Sequence, residues 1–357
     1  MARSAKVRTH DTAWTKTMRI DDAALTASGI VVRDIAFYIT QRCNLRCKHC
    51  YVGNEWLDTQ EAFSREEIQI ILDHFGTPGL DRLTILGGEP VLHPDITDII
   101  LQAAQYDIKD RRMTTNGISL GFLDLSRLSG KELNHISISI DGITADVHER
   151  VRGKNTFYRS LRTARLLAEH GFEVHANLTV NGVNKDQVVD AIYFFKEHGF
   201  RAVNIHLITM IGNAAENPGL YVSPTEWVRI REQLRAIKDL SGIRVKLPVM
   251  FVTVDEYHSL VQSGAYVPPQ VRSYQSKDGH RIVLYPNGHV YMSGDLSSTV
   301  FNFAVFREGK FTLTHHANEL ALHIQEPANP DPSTDLLQVD TEGFVRLSVS
   351  YKQIIDL

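Results

Sequence analysis

The chain reads as an α/β protein in which strands and helices alternate, followed by a smaller C-terminal α+β domain. Three observations predict this. Six short β-type runs between Asp34 and Leu207 are separated by helical or turn segments, the order that parallel strands with crossover connections require. Two of the helices end alike, in Glu169-His170-Gly171-Phe172 and Glu197-His198-Gly199-Phe200, and each leads into a strand. After about Leu240 the rhythm changes to short strands around an Asn-Gly turn. This pattern leaves an open or partial barrel and a doubly wound sheet both possible. The expected divisions are an N-terminal arm over 1–30, the α/β domain over 31–240 and the C-terminal domain over 241–357.

The elements follow in order. Ile35-Ala36-Phe37-Tyr38-Ile39 is a buried strand. Ser64 and Glu67 have capping-box spacing, with Ile68, Ile71, Leu72 and Phe75 on one helical face. Leu83-Thr84-Ile85-Leu86 is the second strand, with a helix near Asp95 to Tyr106. Arg112-Met113-Thr114-Thr115 is the third, with a shorter helix expected around Leu123 to Leu128. Ile136-Ser137-Ile138-Ser139-Ile140 is the fourth, Val174 to Val180 the fifth and Ala202 to Leu207 the sixth, with a helix from about Thr225 to Asp239. His170 and His198 suit the negative ends of their helices better than a ligand role.

At 357 residues, 43% hydrophobic and 22% charged, the composition is that of an ordinary globular protein. A formal net charge of −4 gives no global positive field for nucleic acid. No apolar run is long enough to span a bilayer, so a cytoplasmic protein is expected. The segment Met1 to Arg19 is basic, as a transit segment is, but lacks a clear amphipathic pattern, so it reads better as a flexible or loosely docked arm.

All three cysteines lie in Cys43-Asn44-Leu45-Arg46-Cys47-Lys48-His49-Cys50. Gaps of three and then two residues let three thiolates converge on one centre, and thiolates suit iron–sulfur clusters and zinc. A complete cluster usually takes four cysteines, so three would leave one iron open for chemistry. Zinc needs a fourth ligand, which His49 is too close in sequence to Cys50 to supply easily. An odd number of cysteines argues against a disulfide framework.

Cys43, Cys47 and Cys50 match the C-x-x-x-C-x-x-C signature, and the chain resembles the radical S-adenosylmethionine (SAM) superfamily. The resemblance implies one 4Fe–4S cluster on the three cysteines, with SAM chelating the fourth iron. Reductive cleavage would give a 5′-deoxyadenosyl radical that abstracts hydrogen from a substrate. It also selects the partial (β/α)6 TIM-type barrel, with chemistry at the C-terminal ends of the strands, where the cysteine loop stands.

Other segments carry the same resemblance. Gly87-Gly88-Glu89-Pro90 follows the second strand, where glycines permit close backbone approach and Glu89 offers a carboxylate to an ammonium. It resembles the family motif that contacts the SAM amino group. Thr115-Asn116-Gly117 ends the third strand; Asn116 is expected to orient SAM, or simply to form the turn. Ser139 and Arg152, in Ser137-Ile138-Ser139-Ile140-Asp141-Gly142 and Val151-Arg152-Gly153, resemble the SAM ribose and carboxylate contacts of the SPASM/twitch subgroup, and an arginine fork suits a carboxylate. A surface salt bridge is the alternative for Arg152. Asn177 and the segment from Leu207 to Gly212 match positions near ribose and adenine, and His49 or Tyr51 the adenine contact.

Leu284-Tyr285-Pro286-Asn287-Gly288-His289-Val290-Tyr291 resembles the hairpin that opens a SPASM or twitch domain. That domain has cysteines where Met292 and Ser293 stand and further on, but this chain has none after Cys50. A degenerate SPASM-like domain without auxiliary clusters is expected, which directs the chemistry toward redox-neutral elimination, decarboxylation or rearrangement. Tyr274, Tyr285 and Tyr291 are candidate hydrogen donors but read better as packed aromatics, and His315-His316 read as exposed polar residues.

The expected function is thus a radical SAM enzyme acting on a small polar substrate. A sugar, nucleoside or nucleotide sugar of natural-product biosynthesis is the leading class, with a one-electron reductant such as flavodoxin or ferredoxin as partner. No nucleic-acid or membrane partner is expected. A peptide-modifying maturase is the first alternative. A non-catalytic iron–sulfur scaffold or sensor is the second.

Overall fold

The computed structural model describes residues 32–76, 79–264, 280–291, 302–314, 340–347 and 354–357. The basic arm, Tyr274, Met292, Ser293, His315 and His316 lie outside them.

The chain runs β1 (Val32–Tyr38), α1 (Gly53–Asp58), α2 (Arg65–Gly76), β2 (Leu80–Leu86), α3 (Ile96–Ala103), β3 (Ile108–Thr115), β4 (His135–Ser139), α4 (Ala145–Arg152), α5 (Phe157–Glu169), β5 (Val174–Val180), α6 (Val188–Glu197), β6 (Ala202–Leu207), α7 (Pro224–Arg235), β7 (Arg244–Pro248), β8 (Phe251–Thr253) and α8 (Val254–Gln262). It continues with β9 (His280–Leu284), β10 (His289–Tyr291), β11 (Asn302–Arg307), β12 (Lys310–Leu313), β13 (Phe344–Arg346) and β14 (Ile354–Asp356). One sheet has the order β12-β11-β10-β9-β1-β2-β3-β4-β5-β6-β7-β14, and β8 pairs with β13 in a second. From β9 through β7 every neighbouring pair is parallel. The expected α/β architecture with a parallel sheet is therefore present, extended by two further parallel strands, β7 and β9.

Local chemistry accounts for the element ends. Ser64 and Glu67 form the anticipated capping box, with Ser64 N–H donating to Glu67 Oε2 at 2.8 Å and Glu67 N–H to Ser64 Oγ at 3.2 Å. Gly171 and Gly199 take the left-handed conformation that ends α5 and α6, at φ of 85° and 81°. His170 and His198 each place Nδ1 2.8 Å from the carbonyl four residues back, as last-turn residues. No helix forms at Leu123 to Leu128. Asp124 Oδ1 accepts both the N–H and the hydroxyl of Ser126, and this side-chain turn competes with helix hydrogen bonds. Leu123 and Leu128 are nonetheless buried, so the hydrophobic spacing came from two turns pinned to the core. Helix α7 stops at Arg235, short of Asp239, whose carboxylate caps the Ser241 N–H instead.

Strand register separates the sheet's two faces. Ile35, Phe37, Ile85, Met113, Ile136, Ile138, Ala176, Leu178, Val203 and Ile205 point outward into the helices and form the main core. A fully buried large side chain of this kind contributes about 1.5–3 kcal/mol. The inner face divides in two. On β9, β1 and β2 it carries Val283, Tyr285, Ala36, Tyr38 and Leu86, packed with Trp56 of α1. On β3 to β6 it carries Asp110, Arg112, Thr114, His135, Ser137, Ser139, His175, Asn177, Thr179, Asn204 and His206, with Ala202 apolar among them. Among the described residues no helix is long and apolar enough to cross a membrane.

At the base of this inner wall, His135 and His175 stack with ring centroids 3.9 Å apart. Burial pushes His135 down to about 2, and it lowers His175 against the pull of Glu173. Both rings are neutral near pH 7. Below about 6.5 the unfolded chain takes up protons that the folded chain refuses, so stability should fall as pH drops toward the folded values. His135 alone accounts for about 2 kcal/mol between pH 7 and pH 5. Urea midpoints at the two pH values should show a visibly shallower loss in His135→Phe than in the native chain; equal losses would exclude the stacked pair as the cause.

Candidate active site

The cysteine loop follows β1 and is held mainly through its backbone. Along it, exposure alternates: Arg42, Asn44, Arg46 and Lys48 face outward, while Cys43, Leu45, Cys47 and His49 are turned inward. Lys48 N–H donates to Val151 O of α4 at 2.9 Å. From the loop after β6, Asn213 N–H donates to Cys50 O at 2.9 Å, and its Nδ2 donates to Cys47 O at 3.0 Å. Asn213 also exchanges hydrogen bonds with Asn54, and Asn217 Nδ2 reaches Lys48 O at 3.4 Å. The strand ends thus clamp the loop from two sides.

The Gly-Gly segment after β2 clamps it from a third. Gly88 N–H donates to Thr40 O and Glu89 N–H to Arg42 O, both at 2.7 Å. A Cβ on Gly87 would lie 2.7 Å from Thr40 O, and one on Gly88 would press on Gln41 O and lie 2.6 Å from Arg42 O. The space that these glycines leave is filled by the backbone entering the cysteine loop. Gly88→Ala should therefore displace that loop, costing about 1–3 kcal/mol as an overpacked site and lowering the iron retained after anaerobic reconstitution. Native-like iron content and thermal midpoint in this variant would contradict the close-packing account.

The three thiols share one basin and interact electrostatically. Burial pushes Cys43 up to about 12 and Cys47 to about 11, and raises Cys50. Neutral as thiols, they lose their protons on coordinating a metal. The Arg152 guanidinium lies near Cys47 and Cys50 and opposes burial. Among the described residues no three His, Cys, Asp or Glu side chains sit close enough to share one ion. One thiolate per iron of a cluster does not require that convergence, and the three-thiol basin with its adjoining cation fits such a cluster.

Around this basin the expected residues separate into a connected group and an outlying one. Glu89 is buried, with Thr115 Oγ1 donating to Oε1 at 2.5 Å and Asn116 N–H to Oε2 at 2.7 Å. Burial pushes it up to about 7 despite these donors. Asn116 Nδ2 donates to Asn44 Oδ1 at 2.8 Å, tying strand three to the cysteine loop. Arg152 is buried; its Nε donates to Asp141 Oδ2 at 2.6 Å, and its Nη2 lies 3.4 Å from His49 Nε2. His49 is buried too, pushed down to about 4, with its Nδ1 without a partner.

Ser139 and Asn177 are register partners on the inner wall, and Asn204 Nδ2 donates to Asn177 Oδ1 at 3.0 Å. Tyr51 is 41% exposed. It and the exposed His206 are open to water, yet protein surrounds both densely enough to shift them, Tyr51 up to about 12 and His206 downward. Arg281 of β9 lies near both, so they border the same inner face of the sheet. Leu207 faces the outer core, so its backbone, with the side chain of His206, is what borders the interior. Tyr285 and Tyr291 are buried in the aromatic cluster with Tyr38 and Trp56.

Sequence reasoning missed Asp141, His148 and Asn213. Asp141 is fully buried and anchors Arg152 while its Oδ1 accepts Thr179 N–H at 2.8 Å. His148 accepts the Asp141 N–H at Nδ1, 3.1 Å away. An Asp-Gly just past a buried strand was the available signal for Asp141; nothing in the spacing pointed to Asn213.

The family model described as the Radical SAM superfamily matches residues 37–195. The chain is 32% identical over 185 residues to the GTP 3′,8-cyclase of Limosilactobacillus fermentum, covering 50% of this chain and 54% of that protein. It thus spans about half the length of that relative. It is 27% identical over 296 residues to the AdoMet-dependent heme synthase of Methanosarcina barkeri, covering 82% of this chain and 80% of that one. Its fold is similar to Streptococcus suis SuiB bound to precursor peptide SuiA, with a TM-score of 0.60 at 15% identity over 76% of this chain and 62% of that chain. It is also similar to anSMEcpe with bound AdoMet and Cp18Cys peptide, with a TM-score of 0.55 at 15% identity over 83% and 84%.

Proposed function

This chain belongs to the radical SAM superfamily, whose cofactors are a 4Fe–4S cluster and SAM, and from that premise we propose that it acts on a small polar substrate held against the inner face of the sheet beside the cysteine loop. A sugar, nucleoside or nucleotide sugar is the class that fits best. The observation that carries this reading is the polar inner face of β3 to β6, with its hydroxyl, amide and imidazole side chains. A sugar or nucleoside offers many hydroxyls, which such a face can pair with.

When bound, the cluster and SAM supply the 5′-deoxyadenosyl radical that takes hydrogen from the substrate. Cys43, Cys47 and Cys50 would hold the cluster. Glu89 and Asn116 would orient the amino end of SAM, Arg152 and Ser139 its carboxylate and ribose, and Asn177 with the loop after Leu207 its nucleoside end. His49 or Tyr51 would border the adenine. The inner wall would orient the substrate and control the fate of its radical. With no cysteine after Cys50, no thiol remains to quench that radical or to hold an auxiliary cluster, which favours elimination, decarboxylation or rearrangement. A flavodoxin or ferredoxin would supply the electron.

The test is release of 5′-deoxyadenosine by anaerobically reconstituted protein given SAM and reductant. One panel holds sugars, nucleosides and nucleotide sugars, the other precursor peptides. Stimulation by the first panel supports the reading, and a deuterated substrate then locates the abstracted hydrogen. Stimulation by peptides alone replaces it with a maturase.

A further inference from the structure

We propose that the outward face of the cysteine loop, together with the adjoining edge of α4 and α5, docks an acidic one-electron carrier protein. This rests on the superfamily assignment and is independent of the substrate reading. The alternation along the loop turns Cys43 and Cys47 inward and leaves Arg42, Arg46 and Lys48 exposed on the opposite side. A cluster on these cysteines would stand one loop thickness behind three cations. The hydrogen bond from Lys48 N–H to Val151 O joins this face to the end of α4.

There the charge is one-sided. Residues 150–168 carry Arg150, Arg152, Lys154, Arg159, Arg162 and Arg165 without a single Asp or Glu, in a chain of net charge −4. Arg152 is turned inward to Asp141, while Arg150, Lys154 and Arg159 are exposed. Beside them Tyr158 is 71% exposed, an aromatic anchor of the kind enriched at interfaces. The bordering carboxylates are Asp58 and Asp146, each paired with an arginine of this face, Glu149, which accepts the Thr156 and Phe157 N–H groups, and Glu216. A solvated basic edge needs no partner, but this one is joined through the Lys48–Val151 hydrogen bond to the loop where an electron must enter. Opposite charge would both steer the carrier and set its orientation. In the step itself one electron leaves the carrier, a flavin hydroquinone becoming a semiquinone, and the cluster is reduced by one.

The probe is flavodoxin, and the variant is Arg150→Glu, Lys154→Glu and Arg159→Glu combined, all on exposed side chains outside the cysteine loop. Calorimetry gives the dissociation constant, and anaerobic absorbance gives the rate of cluster reduction by flavodoxin hydroquinone. Samples are matched for iron; should the reversal lower iron content, the corresponding Lys→Gln and Arg→Gln triple takes its place. Binding and reduction are expected to weaken about tenfold or more at low salt, and raising salt should weaken the native pair similarly. Reduction by a small photoreduced deazaflavin should be unchanged. Equal flavodoxin affinity and rate in variant and native protein would overturn the proposal. So would an equal loss with deazaflavin, since that places the defect in the cluster and not in docking.

Discussion

Cys47→Ala removes iron and SAM cleavage together and leaves the chain folded. Iron per chain should drop from about four, the content of a complete cluster, to well below half of that. Release of 5′-deoxyadenosine should fall to the protein-free level, well beyond the roughly 10–100-fold that outer-shell changes around a metal cost. The fold should survive because the loop is held by backbone that the substitution keeps. The Cys47 carbonyl still accepts from Asn213 Nδ2, and Cys50 N–H still reaches it at 3.2 Å. Without metal the thiol is neutral, since burial has pushed it to about 11, so alanine replaces a small apolar group and costs about 1 kcal/mol. Far-ultraviolet circular dichroism and a urea midpoint check the fold, and an iron assay and chromatography check the rest. Full iron content in the variant would sink the three-cysteine assignment. A native protein that holds four irons yet cleaves no SAM with either substrate panel would point to the scaffold reading instead.

What the sequence made legible was what short-range rules control. The strands Val174–Val180 and Ala202–Leu207 stand at their expected bounds, because alternation and glycine caps are local signals. The helix expected at Leu123 to Leu128 failed because apolar spacing cannot distinguish a helix from two turns pinned by Asp124. The cysteine triplet and the Gly-Gly-Glu-Pro segment were legible as motifs, but the glycines' packing was not. Their missing side chains make room for Thr40, Gln41 and Arg42, contacts some forty-five positions away in the chain that no window reveals. Asn213 and His206 were hidden for the same reason: one clamps the loop across 166 positions, and the other stands on the inner face of the sheet by a parity that only the strand register settles.

Arg152→Ala should be among the costliest single changes to stability, about 3–5 kcal/mol at pH 7, because it leaves a buried carboxylate without its cation. Asp141 is fully buried and Arg152 nearly so, with Nε 2.6 Å from Oδ2. Burial alone would raise the Asp141 pKa; Arg152 first, then His49, His148 and the Thr179 N–H, hold it below the usual carboxylate value. In the native protein this pair stabilises the fold above the unfolded aspartate value near 3.9, and the contribution is lost as pH falls through the lower folded value. Removing Arg152 reverses the sign. Burial then dominates, the folded carboxyl holds its proton to higher pH than the unfolded one, and stability is lost as pH rises through that raised value. The deficit relative to the native chain should therefore shrink between pH 7 and pH 5. Arg152→Ala combined with Asp141→Asn should likewise be more stable at pH 7 than Arg152→Ala alone, since no charge is left stranded. Urea titrations of the native chain, both single variants and the double variant at two pH values measure this coupling. A deficit below about 1 kcal/mol at pH 7 would mean that water reaches Asp141 freely, and the buried pair would then not be what fixes His49 and α4 beside the cysteines.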